Sequence, residues 1–355
     1  MFRLIPIHSG KNPKVLTLFL LLILVIILPL TVLFIQKQQQ TQRYAAARSS
    51  FVTAHGRDLF VNGQRFRSVG VNRYNLLTTG NLGCAGVESN SDIDTFFSQL
   101  YQLHATTVRF WFFQSFTGSG TQLAQFDYVL SQADKYGIKV IPVLENHWKA
   151  CTQGGTKSPD WYASGYNSNY GYPLSLKAYI AKVVPLYKNA TAIMAWQIMN
   201  EAEDSDATGF INFARDISGY IKSLDPNHLV SLGTVGSGQA PGSQYYRTIH
   251  AISTIDLLEY HDYGRDTVAF PSQLAARFSD SIALNKPLFI GEAGILSSAG
   301  NRAGLFQAKM DAFFQQGGAA YLIWSYDINI GTHDDYKFSF TDPLAQVVKS
   351  VAASI

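Results

Sequence analysis

Two glutamates, Glu201 and Glu292, end apolar runs that read as buried strands. Two carboxylic side chains about 5–5.5 Å apart are what retaining cleavage of a glycosidic bond requires, one as nucleophile and one as proton donor. A lone glutamate at a strand end is more often an ion-pair partner, so its neighbours decide the reading. The polar residues that end otherwise apolar strands are Asn72, His147, Asn200 with Glu201, His261 with Tyr263, Glu292 and Trp324, and Arg109 lies inside its strand. Burying so many polar groups costs stability unless they bond to one another. Folding alone does not explain their concentration. On this reading Glu201 is held protonated by its surroundings as acid/base, and Glu292 is kept ionised as nucleophile by Arg109 and Tyr263.

Other chemistry fits less well. His147 and His261 have no third ligand at metal-site spacing, so a hydrogen-bonding role is expected, with no metal or other cofactor. No Gly-x-Ser-x-Gly sequence supports a serine nucleophile. Trp111, Trp148, Trp161 and Trp324 are candidates to stack on sugar rings; Trp148 and Trp324 are the two expected to do so, and Trp196 is read as core. Glu203 is expected to be a surface or supporting acid. Glu145 is expected either to touch substrate or to pair with a nearby base.

These residues need a frame that gathers strand ends. From Phe51 onward, eight β-rich runs alternate with amphipathic stretches: 67–72, 106–112, 139–146, 193–201, 229–235, 255–263, 287–294 and 320–326. Helical patterns intervene at 126–136, 174–187, 210–224 and 303–316. Near-continuous apolar strands separated by helices indicate a covered parallel sheet. Eight such units favour an α/β fold of the (β/α)8 TIM-barrel kind, whose active sites gather at the C-terminal strand ends. An open doubly wound sheet is the rival, but the first strand lacks a glycine-rich phosphate loop. Residues 51–66, with turn signals at His55-Gly56 and Asn62-Gly63, read as a small N-terminal hairpin closing the barrel floor.

The region from Phe51 onward resembles glycoside hydrolase family 5 of clan A. The likeness is carried by Arg109 in Val-Arg-Phe-Trp, Asn200-Glu201 after Ala195-Trp196-Gln197-Ile198-Met199, His261-Asp262-Tyr263, Gly291-Glu292-Ala293-Gly294, and Trp324 in Leu-Ile-Trp-Ser-Tyr. The resemblance implies that Glu201 is the acid/base, with Asn200 on the sugar 2-hydroxyl, and that Glu292 is the nucleophile. It further implies that Arg109 and Tyr263 hold Glu292, while His261 and Trp324 shape the subsite of the reacting sugar. Within the family, Leu144-Glu145-Asn146-His147-Trp148 with Gly154-Gly155, Gly70 to Tyr74, and Asp335-Tyr336 are similar to the endo-β-1,4-mannanases. That adds Asn72, His147 and Trp148 to the substrate-binding candidates. Those enzymes usually carry Asn where this chain has His147, and Pro where it has Ala202.

Bulk properties agree with a neutral substrate. Of 28 basic residues six fall in residues 1–50, which hold no acid; the remaining 22 face 25 acids, about −3 for the body. No basic patch suggests nucleic acid. Val15 to Ile35 is uncharged and apolar, long enough to span a bilayer, and the Gln-rich stretch after it reads as a tether within a 36–50 linker. The expected organisation is a cytoplasmic segment 1–14, a signal anchor 15–35, that linker, and an outward-facing catalytic domain 51–355, membrane-anchored or secreted. A monomer is expected. Cys84 and Cys151 fall in loops on one barrel face, either bridged or as two free thiols. The expected partner is a β-linked polysaccharide or oligosaccharide, of mannan type first and glucan or small β-glycoside second, with transglycosylation an alternative outcome of the same chemistry. An inactive carbohydrate-binding protein is the reading from another class.

Overall fold

Segments buried at all five successive residues, as Thr107–Trp111 and Lys139–Val143 are, fit a parallel sheet covered by helices. The computed structural model describes residues 50–77, 84, 88–264, 269–328 and 336–355, with Ile27 and Thr31. Apart from Ile27, Thr31 and Ser50, the expected anchor 15–35 and linker 36–50 lie outside the described residues, as does Asp335. Among the described residues no helix is long and apolar enough to cross a membrane. Residues 44–355 form one compact unit.

Three short strands open it: β1 (Thr53–His55), β2 (Asp58–Val61) and β3 (Gln64–Phe66), paired antiparallel in that order. The expected hairpin is thus a three-stranded meander. Its second turn is Asn62-Gly63, both at positive φ (52° and 72°), the conformation a tight two-residue hairpin demands. Val52, Leu59 and Val61 pack in one cluster with Ile141, Met194, Leu229, Leu257, Phe289 and Leu322. The meander therefore plugs the barrel floor.

The eight barrel strands are β4 (Ser68–Asn72), β5 (Thr107–Trp111), β6 (Lys139–Val143), β7 (Ala195–Gln197), β8 (Leu229–Ser231), β9 (Leu258–Asp262), β10 (Leu288–Ala293) and β11 (Ala320–Ile323). They pair in parallel in the order β8-β7-β6-β5-β4-β11-β10-β9, and a parallel bridge between Ser231 and Leu257 joins the two ends. Register sets Asn72 beside Arg109 and, past an irregularity in β10, His261 beside Glu292. Each expected strand is present, generally shorter than its apolar run.

Helices cover the outside because their sequences bury one stripe. In Asn90–Gln102 the buried residues are Ile93, Phe96, Phe97 and Leu100, and Ser89 and Asp92 cap its start reciprocally. Ala207–Leu224 follows the same rule with Phe210, Phe213, Ala214, Ile217 and Ile221, capped by Asp206. Helix Arg302–Gln315 is pinned by a polar contact. Lys309 Nζ reaches Asp262 Oδ1 and Oδ2 at 3.1 and 2.9 Å, with both side chains buried.

That buried pair generates a stability prediction. Lys309→Met leaves the Asp262 carboxylate without its cation, at an expected cost of about 3–5 kcal/mol. Urea denaturation should show this loss, and Lys309→Met with Asp262→Asn should recover most of it. Equal losses in the single and double variants would mean that packing, not charge, holds the helix there.

Candidate active site

Arg109 organises the polar residues at the strand ends. Its fully buried guanidinium can only donate, and all three of its nitrogens do so. Nε donates to Gln197 Oε1 at 2.7 Å, and Nη2 to Asn200 Oδ1 at 2.7 Å. Nη1 donates to Asn72 Oδ1 at 2.9 Å and to Glu292 Oε1 at 2.6 Å. One side chain thereby ties β5 to β4, β7 and β10. Asn72 passes its amide on to the Gly291 carbonyl at 2.9 Å, and Asn200 to Asn146 Oδ1 at 3.0 Å. Trp111 lies beneath, its ring 4.7 Å from the guanidinium carbon.

Both oxygens of Glu292 are held by donors, Oε1 by Arg109 and Oε2 by the Tyr263 hydroxyl at 2.7 Å. Glu201 is anchored differently. Its backbone stands in the left-handed region at φ 51°, a conformation that costs a non-glycine residue energy and recurs at functional sites. Oε1 faces His261 Nδ1 at 2.9 Å, and Oε2 accepts from Trp148 Nε1 at 2.7 Å. One atom from each of Glu201, His261 and Glu292 lies within 4.8 Å of the other two. A cation there would have to displace the hydrogen bond between His261 Nδ1 and Glu201.

The electrostatics correct one expectation. Burial works against a charge on His261, but Glu292, Glu201 and Glu259 outweigh it and raise its pKa to about 10. Burial alone would raise Glu201; its hydrogen bond and charge contact with His261, with smaller help from Trp148, instead pull it down to about 2. Their shared hydrogen bond thus favours an ionised Glu201 facing a protonated His261, where a protonated Glu201 was expected.

The remaining candidates separate. His147 stays out of the network: Nδ1 meets the Tyr162 hydroxyl at 2.9 Å, and Nε2 is 3.6 Å from Glu203. Burial, then the charge of Lys157, lowers its pKa to about 4, so it is neutral at pH 7, and its ring meets the Trp148 ring edge-on at 4.6 Å. Trp148 is 37% exposed. Trp324 is half-buried and stacks on Tyr74 at 5.3 Å. Trp161 and Trp111 are buried and offer no open face, so they leave the list of sugar platforms; Trp196 is core. Glu145 is buried against Lys157 at 3.4 Å and the Tyr172 hydroxyl at 3.2 Å, which resolves it as a base partner. Cys84 and Cys151 are bonded to each other.

Glu259 was missed by sequence reasoning. It is fully buried and binds His261, Gln197 and Ser231. The signal was present in Leu258-Glu259-Tyr260-His261-Asp262-Tyr263, since alternate strand residues share a face. Gly291 makes room for it: a Cβ there would lie 1.9 Å from Glu259 Oε1.

Comparison with known proteins gives the same direction. The profile of a family described as GH family 5 beta-mannosidase-like matches residues 177–287. A Neosartorya fischeri protein named probable mannan endo-1,4-beta-mannosidase F is 30% identical over 333 residues, covering 80% of this chain and 69% of that protein. Mannan endo-1,4-beta-mannosidase A of Podospora anserina is 27% identical over 326 residues, 79% of this chain and 85% of that protein. The solved endo-1,4-beta-mannanase of Rhizomucor miehei superposes with a TM-score of 0.71 at 25% identity, covering 86% of this chain and all but 1% of that one (99%).

The packing of Glu259 under Gly291 predicts that Gly291→Ala destabilises the protein by about 1–3 kcal/mol, as overpacking does. Gly300, with nothing within 4 Å of a built Cβ, is the control. Gly300→Ala should leave the thermal midpoint nearly unchanged, and an equally small effect at Gly291 would refute the close approach.

Proposed function

The chain belongs to glycoside hydrolase family 5, and from that premise we propose that it cleaves β-linked mannan-type polysaccharide by double displacement, retaining anomeric configuration. The observation carrying this reading is the approach of Glu201 and Glu292 within 4.8 Å at their nearest atoms. That suits the separation of about 5–5.5 Å found in retaining enzymes better than the roughly 6.5–9.5 Å of inverting ones.

In this reading Glu292 attacks the anomeric carbon. Arg109 and Tyr263 donate to both its oxygens and so keep it aimed. Glu201 delivers a proton to the departing oxygen and later takes one from water. Its proton comes from His261, whose Nδ1 stands 2.9 Å from Oε1. A sugar that expels water from the cleft disfavours the separated charges of that pair, and the proton then passes from Nδ1 to Oε1. Asn200 is assigned to the sugar 2-hydroxyl, a role its fixed orientation between Arg109 and Asn146 supports. Trp148 and Trp324 offer aromatic faces to the sugars, with Trp148 beside the acid/base. Asn72 acts through Arg109 and the Gly291 carbonyl. His147 acts through the edge contact that supports Trp148.

The body is assigned to an oxidising compartment, supported by the Cys84–Cys151 bridge. The uncharged run 15–35 serves as the membrane anchor, with the catalytic domain 51–355 outside.

Sugar release from mannan, glucomannan, cellulose derivatives and mixed-linkage glucan tests this reading. Mannan and glucomannan should be cleaved, with the β-anomer appearing first by NMR. Glu292→Gln should abolish release, and Glu201→Gln should lower kcat by about 10²–10⁴-fold. Full activity in Glu292→Gln would sink the mechanism; cleavage of glucans alone would move the substrate class while leaving it intact.

A further inference from the structure

Three carboxylates surround His261, and the proposed mechanism uses only two. We propose that the third, Glu259, is a positioning residue that holds His261 as a doubly donating cation, keeping a proton stored beside Glu201. The proposal rests on Glu201 being the acid/base.

The argument is one of donors and acceptors, and it starts from Arg109. Because a guanidinium never accepts, the Gln197 atom that meets Arg109 Nε must be its carbonyl oxygen. The Gln197 amide nitrogen is then forced toward Glu259, and it lies 2.8 and 2.7 Å from the two carboxylate oxygens. Ser231 adds a hydroxyl at 2.6 Å. Supplied with donors on both oxygens, Glu259 is an acceptor, so His261 Nε2, 3.1 Å away, must donate to it. On the other side Nδ1 of the same ring faces Glu201 Oε1 at 2.9 Å while Oε2 accepts from Trp148. Nδ1 thus meets a carboxylate with a donor already on its other oxygen and takes the donor role here too. Both nitrogens donate, which only the cation can do.

Charge balance points the same way. Around His261 stand Glu201 after β7, Glu259 on β9, and Glu292 on β10 at 3.7 Å from Nδ1. Facing them are the cation Arg109 on β5 and the neutral groups Tyr263, Gln197, Ser231 and Trp148. Without a second proton on His261, three carboxylates, Glu259 and Glu292 buried and Glu201 partly so, would answer to a single guanidinium. Glu259 has no exposure and touches no open cleft. Its effect on catalysis must therefore travel through the imidazole.

Glu259→Gln is the discriminating variant, because it keeps size and hydrogen-bonding capacity while removing the charge. A glutamine amide can donate to Nε2, leaving His261 neutral with its proton on Nδ1. In full-length chain labelled at histidine, the His261 NMR signal, identified by its loss in His261→Gln, should titrate about one unit or more lower in Glu259→Gln. The basic limb of the kcat profile should move the same way, with KM changing less than kcat. Ser231→Ala strips a donor from Glu259 and should shift the His261 midpoint upward; should Glu259→Gln not fold, this variant decides alone. An unmoved His261 midpoint overturns the proposal. Wild-type failure to release sugar from any β-glycan would instead refute the proposed function, since the NMR titration reads His261 without turnover.

Discussion

The rest of the site depends on one buried guanidinium. Arg109 carries a positive charge into a barrel interior where an unpaired charge would be prohibitive. It is tolerated because four acceptors from three other strands converge on it: Gln197, Asn72, Asn200 and Glu292. The planar fork of five N–H donors makes that convergence directional. Each acceptor is oriented as a consequence, and each passes the orientation on. Asn200 turns its amide to Asn146, Asn72 to the backbone before Glu292, and Gln197 to Glu259. A lysine at this position would supply the charge without the geometry.

A second tier follows from that orientation. Once Gln197 is turned, Glu259 is an acceptor, His261 a double donor, and Glu201 the end of the line. The two carboxylates in the cleft then differ by partner rather than by residue type. Glu292 is gripped by a permanent cation and a phenol, while Glu201 is paired to an imidazole that can give its proton away. Two side chains of one type are thus made unlike by what stands behind each of them.

The loop after β6 supplies the open side of the site, and its stability is built from separate attachments. Cys151 is bridged to Cys84, and Glu145 holds Lys157 and Tyr172. Asn146 caps the Ala150 carbonyl. Between these anchors Trp148 reaches Glu201, with His147 against its ring. Burial raises the pKa of Glu145, against the pull of Lys157; the pair is a fastening for the loop, outside the cleft chemistry.

The sequence by itself determined the frame and most of the cast. Eight apolar runs with helical spacers sufficed for the barrel, because a strand buried on both faces leaves an unbroken apolar signature. Polar residues closing those runs marked Glu201, His261 and Glu292, and a charge inside one marked Arg109, since a polar side chain at such a place costs energy unless used. Only the tertiary structure decided how these groups share protons. Glu201 emerged ionised, because a charge state depends on which donor lies within hydrogen-bond reach, and its partners Trp148 and His261 are remote in the chain. Glu259 escaped for the same reason. One glutamate in an apolar strand has no meaning until Gln197, Ser231 and His261 are folded around it. Periodicity is a local property that a linear chain displays, whereas electrostatics is a sum over neighbours that exists only once the barrel has closed.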